Sequence, residues 1–261
     1  QKQQAKPDVP VTVKGDLNQK GMGETDKDGQ LLLPESAPKT EKHSAYIVGY
    51  TDGTFRPEAQ MTRAEASAIF ARLLAAAKNE NISPAKYAPF ADTTVNAWYA
   101  DYVNYLVGYG VIVGDKSAFR PNEDISRAEL TAMAVRYFEV VGQKDTASRD
   151  ITNNVKFNDV SGSYWAADYI QEAALYGWVQ GYGNGSFKAE AKITRAEAVT
   201  LINNLLGRVA DSEYIAKSGR RLNLFSDVYT QHWAYAAILE AANSHTAVYD
   251  NKDKTAESWN R

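Results

Sequence analysis

A five-residue phrase occurs three times in this chain: Met61-Thr62-Arg63-Ala64-Glu65, Ile125-Ser126-Arg127-Ala128-Glu129 and Ile193-Thr194-Arg195-Ala196-Glu197. The arginines are 64 and 68 residues apart, a period that marks an array of one supersecondary unit whose copies bury their apolar faces against one another. Fold and function are therefore to be sought in what three copies do together.

Two further blocks recur in fixed order ahead of the phrase. Phe90-x-Asp92, Phe157-x-Asp159 and Phe225-x-Asp227 each precede a tryptophan six residues beyond the aspartate, at Trp98, Trp165 and Trp233. Behind Trp165 the positions Ala166, Tyr169, Ile170, Ala173 and Ala174 fall at helical spacing, as do Ala234, Ala237, Ile238 and Ala241 behind Trp233. A glycine-containing loop follows, Val48 to Pro57 in the first copy, with counterparts at Val113 to Pro121 and Gln180 to Phe187. Its paired glycines around Asp or Asn predict a tight turn with positive φ. After each phrase comes a second helix, whose first-copy stripe is Ala66, Ile69, Phe70, Leu73 and Leu74.

The copies tile unevenly. The first has a loop and second helix, residues 45–78, but no preceding Trp helix, whereas residues 225–249 supply that helix and no loop. Between them lie two whole copies, residues 90–141 and 157–207. Neither half buries its apolar face alone, so the helix behind Trp233 is expected to pack on the helix of Ile69 and Phe70, closing a ring. Residues 1–44 are polar and Lys-, Asp- and Gln-rich, with Pro7, Pro10, Pro34 and Pro38, and are read as a linker or extended segment ahead of the module at 45–261.

Composition removes several function classes. The 261 residues carry 29 Lys and Arg against 32 Asp and Glu, a net charge of −3 with no run of five like charges, so nothing points to nucleic acid. The absence of cysteine excludes disulfides, thiol catalysis and Cys-ligated zinc, and fits an exported chain. No apolar leader region stands at Gln1-Lys2-Gln3-Gln4 and no 18-residue apolar stretch occurs, which reads as a mature chain or fragment that does not insert in a membrane.

Phe-x-Asp-x5-Trp-Ala, Gly-Tyr-x-Asp-Gly-Thr-Phe-Arg-Pro and Ile-Thr-Arg-Ala-Glu, spread over residues 45 to about 249, resemble the modules of the S-layer homology (SLH) family, surface-anchoring repeats of bacterial envelope proteins. The resemblance implies an all-α fold, a pseudo-threefold array of three helix-loop-helix repeats around a central bundle. It also implies grooves between copies that bind cell-wall glycan: a secondary polymer bearing a pyruvylated amino sugar in many members, modified peptidoglycan in others. It places such a chain at the cell surface, as a monomeric module of a larger protein. Two departures bear on the loops: Asp115-Lys116-Ser117 replaces Tyr-x-Asp-Gly and shortens the second turn by one residue, and Lys188-Ala189 replaces Arg-Pro in the third.

Candidate ligand-binding residues follow from residue type. Thr62, Ser126 and Thr194 with Glu65, Glu129 and Glu197 form capping boxes, which start a helix and need no further role. Arg63, Arg127 and Arg195 stand against the positive end of a helix dipole, which is locally unfavourable unless an anion offsets it. A guanidinium beside open helix N–H groups would suit a carboxylate, such as the ketal pyruvate of the family's polymers; an internal salt bridge to Asp92, Asp159 or Asp227, or to a capping glutamate, is the alternative. Trp98, Trp165 and Trp233 suit stacking on a sugar ring or anchoring between copies. Gly49, Gly114 and Gly181 serve the turn first and backbone access to a ligand second. Asp92, Asp159 and Asp227 are capping or loop-holding residues at the groove rather than a glycosidase pair, since threefold occurrence is not the asymmetry catalysis needs.

No cofactor, metal site or catalytic residue is expected. Asp52-Gly53 lacks the ligand pattern of an EF-hand, His43, His232 and His245 lack ligand spacing, and no Gly-x-Ser-x-Gly elbow occurs. The leading expectation is a non-catalytic glycan-binding anchor, with assembly of a surface lattice through protein-protein contacts as the alternative and a wall hydrolase as a third reading without a carboxylate pair to support it.

Overall fold

Three capping boxes start the three long helices. In a computed structural model describing residues 39–114, 118–142, 155–218, 221–249 and 258–260, Thr62, Ser126 and Thr194 accept the N3 amide while the N3 glutamate returns a carboxylate to the N-cap amide. The helices that follow are α1 (Arg63–Lys78), α3 (Arg127–Val141) and α5 (Arg195–Leu206). They end at residues in the left-handed region, Asn79, Gly142 and Gly207. Residues 1–38 lie outside the described part, so the linker reading concerns mainly undescribed residues, as does the Asp115-Lys116-Ser117 departure.

The shorter helices α2 (Ala100–Gly108), α4 (Ala167–Leu175) and α7 (Tyr235–Ala242) begin two residues after Trp98, Trp165 and Trp233. Alpha-helical hairpins form in chain order: α2 packs on α1 and α4 on α3. α7 packs on α5, with the short α6 (Ser212–Ser218) beside it. The expected packing of the Trp233 helix on α1 is therefore corrected: the flank of α1 is already taken by α2, its neighbour in sequence. Along the axis α1 meets α3 and α3 meets α5, burying Phe70, Leu74, Leu130, Val135, Val199 and Ile202. The fold is all-α, with the three repeats around a central bundle as the family resemblance implied.

At the head of the bundle the phrase itself makes a closed ring. Ile125 N–H donates to Met61 O (2.8 Å), Ile193 N–H to Ile125 O (3.1 Å) and Met61 N–H to Ile193 O (3.2 Å). All three side chains are buried. The circuit closes because three copies, each rotated to the next, leave one donor and one acceptor apiece.

The chain's two ends meet in a small antiparallel sheet that the sequence did not announce. β1 (Lys39–His43) pairs with β2 (His245–Tyr249), and β2 with β3 (Ser258–Asn260). Its first strand, Lys-Thr-Glu-Lys-His, carries no apolar alternation and sits in the segment read as linker. Its order comes from the ladder to β2 and from Tyr46 N–H, which donates to Ala241 O just after the strand.

Candidate functional site

Each loop is held by an aspartate from the Trp side of its repeat. Asp92 accepts the amides of Phe119 (2.7 Å) and Arg120 (2.6 Å), and Asp159 those of Phe187 (2.7 Å) and Lys188 (2.8 Å). Asp227 accepts those of Phe55 and Arg56, both at 2.7 Å. The second residue of each pair has a positive φ, 57° at Arg56, 60° at Arg120 and 56° at Lys188, a conformation that costs a side-chain-bearing residue about 1–2 kcal/mol. Two short hydrogen bonds to one carboxylate hold it there, and Lys188 takes the same geometry as the arginines it replaces. Partial burial opposes ionisation of Asp92 and Asp159, but these amides, with Arg63 and Arg127 nearby, outweigh it and hold both carboxyls below the usual range. The aspartates are loop latches; α2, α4 and α7 have no side-chain cap.

The glycines are explained by space rather than by φ. A Cβ on Gly49, Gly114 or Gly181 would stand 2.4, 2.0 or 2.5 Å from a ring carbon of Phe225, Phe90 or Phe157. Those rings in turn lie against Phe55, Phe119 and Phe187 of the latched loops. Positive φ belongs to Gly53 and Gly185 at the turn tips, which corrects the reading for the first glycine of each loop.

The helix N-termini are not open. The first amide of α1 donates to Glu123 O, of α3 to Ala191 O and of α5 to Ala59 O, each at 2.9 Å; the second donates to Pro121, Ala189 and Pro57 O. With the third amide on the capping side chain, the first-turn donors are spent on the neighbouring copy, so the anion site built from open helix amides is withdrawn. Nor are the arginines unpartnered. Arg63, Arg127 and Arg195 donate Nε–H to Phe119, Phe187 and Phe55 carbonyls at 2.7, 2.9 and 2.9 Å. Their Nη1 atoms lie 2.9 Å from Glu129, 3.5 Å from Glu197 and 3.6 Å from Glu65.

Each capping glutamate therefore has two tasks. Its Oε2 accepts its own N-cap amide, at 2.8 Å for Glu65, 2.9 Å for Glu129 and 3.0 Å for Glu197, while Oε1 faces the arginine of the preceding copy. The internal salt bridge to a capping glutamate is thus the arrangement found, in addition to helix initiation; that it crosses between copies is invisible in local spacing. Burial pulls the Arg63 guanidinium below its usual pKa despite Glu129. For Glu129 burial acts upward but is outweighed by the Ser126 amide, Arg63 and Arg120, leaving the carboxyl below its usual range.

Three grooves run between copies, each with contributions from all three. The largest, about 480 Å³, is lined by Arg63 from the first copy, Gly114 and α3 from the second, and Trp165 from the third. The next, about 230 Å³, joins Arg127, the Trp178-Val179-Gln180 loop with α5, and Trp233. The last, about 200 Å³, joins Arg195, the Tyr46 to Tyr50 segment with α1, and Trp98. Gly49 and Gly114 line their grooves, whereas beside Gly181 it is Gln180 that does so. The tryptophans are 60%, 53% and 62% exposed at Trp98, Trp165 and Trp233, so they are not anchors between repeats. Asp92, Asp159 and Asp227 stand behind the loops and line none of the three.

Three groove residues escaped the motif. Nine positions beyond each phrase arginine stand Arg72, Arg136 and Asn204, one per groove. Arg72 and Arg136 hydrogen-bond Tyr102 and Tyr169 at 3.0 and 3.2 Å and lie over those rings, so two grooves carry a second cation and the Trp233 groove an amide. The shared register from Arg63 and Arg127 was the available signal.

A pseudo-threefold helical module with inter-copy grooves, latched loops and exposed tryptophans is the architecture that the family resemblance implied. Residues 43–67, 89–131 and 156–199 match the S-layer homology domain, and the chain belongs to that family. It is 34% identical over 218 residues to cell surface glycoprotein 1 of Acetivibrio thermocellus, covering 82% of this chain and 9% of that protein. To the cellulosome-anchoring protein of the same organism it is 32% identical over 224 residues, covering 84% and 46%. An amylopullulanase of Thermoanaerobacterium thermosulfurigenes is 36% identical over 165 residues, which is 62% of this chain but 8% of that enzyme. The chain thus spans less than half the length of these relatives, and in the enzyme the likeness covers only a small part. The module is a cell-surface one and its role is anchoring at the envelope.

Proposed function

We propose that the three grooves bind an acidic cell-wall glycan, a pyruvylated secondary polymer in the first instance, and thereby fix a larger surface protein to the envelope. The observation that carries this reading is the composition of each groove: a guanidinium, a stretch of loop backbone and an exposed indole, drawn from three different copies. An exposed tryptophan offers its face to the C–H side of a sugar and its N–H as a donor. The phrase arginines, though paired with glutamate, keep N–H groups beyond those spent, since a guanidinium has five.

The anionic part of the ligand is best served where a second arginine stands. Arg136 with Arg63 and Arg120 gives the Trp165 groove three arginines, more than either other groove, set against Glu129 and Glu190. Arg72 gives the Trp98 groove two cations, and the Trp233 groove has Arg127 alone. Three sites of unequal strength on one rigid module prolong residence on a repetitive polymer, because each release leaves the others engaged.

Retention on purified wall glycan, before and after chemical removal of acidic substituents, tests the reading. Loss of retention after removal supports it; unchanged retention overturns the carboxylate mechanism. Lattice assembly through protein contacts is the competing function, favoured by self-association without glycan.

A further inference from the structure

Two of the chain's three histidines, His43 and His245, meet at Glu240, although His43 and Glu240 are 197 positions apart. His43 Nδ1 lies 3.2 Å from Glu240 Oε1 and His245 Nε2 lies 3.3 Å from Oε2. The side chains are 3%, 0% and 0% exposed for His43, Glu240 and His245. One ligand-capable atom from each residue falls within 4.8 Å of the others.

We propose that His43, Glu240 and His245 are the protein ligands of a divalent transition-metal ion, zinc above all, that fastens the two ends of the module. Proton accounting motivates this. His245 Nδ1 lies 2.9 Å from Asn243 O, and a carbonyl only accepts, so that nitrogen carries the proton. In the neutral ring Nε2 is then a lone pair facing the carboxylate. Consistently, Oε2 is buried and receives no hydrogen bond among the described residues. Two acceptors set face to face in a buried pocket call for a cation between them, and a deprotonated imidazole nitrogen with a carboxylate is a zinc donor set.

The spacing fits as well. Charge-assisted N–H···O bonds run at about 2.7–2.9 Å, shorter than either contact here. Metal–ligand bonds of about 2.0–2.2 Å in a tetrahedron set donor atoms about 3.3–3.5 Å apart. Each histidine nitrogen stands near that range from one of the two Glu240 oxygens, 3.2 Å to Oε1 and 3.3 Å to Oε2, and one donor atom from each residue lies within 4.8 Å of the others. Each remaining ring nitrogen has the outer partner that metal-bound histidines use: Asn243 O for His245, and the Tyr249 hydroxyl at 3.2 Å for His43. Trp259 stacks on His245 at 3.9 Å and shields the site. Among the described residues three protein donors meet here. The ligands come from β1, α7 and β2, the elements that join the N- and C-terminal segments, so the ion's role is structural.

The test uses the full chain, stripped with chelator and titrated with Zn²⁺. Expected is one equivalent bound, with a raised thermal midpoint, in the wild type and in His232→Ala, which removes the remaining histidine. Glu240→Gln and His245→Ala are expected to weaken binding by at least about 100-fold. Binding is expected to weaken on acidification, because the ligands must be deprotonated to bind the ion. Should either variant fail to fold, Co²⁺ added to the wild type decides: intense visible bands of four-coordinate cobalt, bleached by Zn²⁺, support the site. An octahedral, water-like cobalt spectrum, sub-stoichiometric Zn²⁺ binding, or folded variants that bind as the wild type does would overturn it in favour of an imidazolium–carboxylate cluster.

Discussion

Asp227 Oδ1 accepts the amide of Phe55 at 2.7 Å across 172 positions of sequence, closing the split first repeat with the bond that Asp92 and Asp159 make inside the intact copies. The ring of repeats is thus joined by a loop latch, with Phe225 packed on Gly49 beside it, and not by helix packing of α7 on α1.

Asp227→Asn turns one carboxylate oxygen into a donor that faces the amide of Phe55 or Arg56, leaving a positive-φ loop without one of its two holds. A loss of about 1–3 kcal/mol is expected in urea denaturation, with Asp159→Asn of similar size because the geometry repeats.

Gly114→Ala is expected to destabilise by about 1–3 kcal/mol, since the new methyl would meet the Phe90 ring, which lies stacked on buried Phe119. Gly53→Ala meets open space and suffers only its φ of 80°, so its cost stays near about 1–2 kcal/mol. Shortening Phe90 to Leu together with Gly114→Ala should recover part of the first loss and none of the second, measured by thermal or urea unfolding.

Arg63→Ala strands the Phe119 carbonyl and the Glu129 carboxylate in a nearly buried site. A loss of about 3–5 kcal/mol is expected. Arg127→Ala and Arg195→Ala should cost less, because their ion pairs are longer, 3.5 and 3.6 Å against 2.9 Å. Equilibrium denaturation ranks the three.

Asp92, Asp159 and Glu129 have folded-state pKa values below their usual ones. Groups of that kind add stability that is present above the unfolded pKa, about 3.9 for Asp and 4.3 for Glu, and lost as pH falls through the folded value. Midpoints should hold above about pH 5 and decline below about pH 4, less steeply in Asp159→Asn.

Trp165→Ala removes a side chain that is more than half exposed, so stability should move by no more than about 0.5 kcal/mol. Affinity for wall glycan should drop about 10-fold or more, about 1.4 kcal/mol, and by less for Trp233→Ala, whose groove lacks a second arginine. Calorimetric titration with polymer fragments reads both.

Local chemistry was legible in the chain. Thr62 with Glu65 announced a helix start three residues apart, and Ala66, Ile69, Phe70, Leu73 and Leu74 its buried face, all of them buried in the fold. Relations between copies were not. A capping glutamate stood among the alternatives for Arg63, but that it comes from the next copy did not follow from spacing, and the ring of Phe90 that requires Gly114 lies on a separate segment. The strand Lys39–His43 has no pattern of its own, because a ladder with β2 rather than an apolar face orders it. Exposure of Trp165 is likewise a property of the assembled groove, where no described neighbouring residue covers more than part of it.

The most direct measurement is a crystal structure of the full chain with a saccharide of the wall polymer that retains its acidic substituent. The account predicts the sugar in the Trp165 groove, ring against the indole and carboxylate among Arg63, Arg120 and Arg136, touching all three copies at once. A saccharide seated away from the inter-copy grooves, or grooves filled by a second copy of the chain in the presence of saturating saccharide, would contradict it.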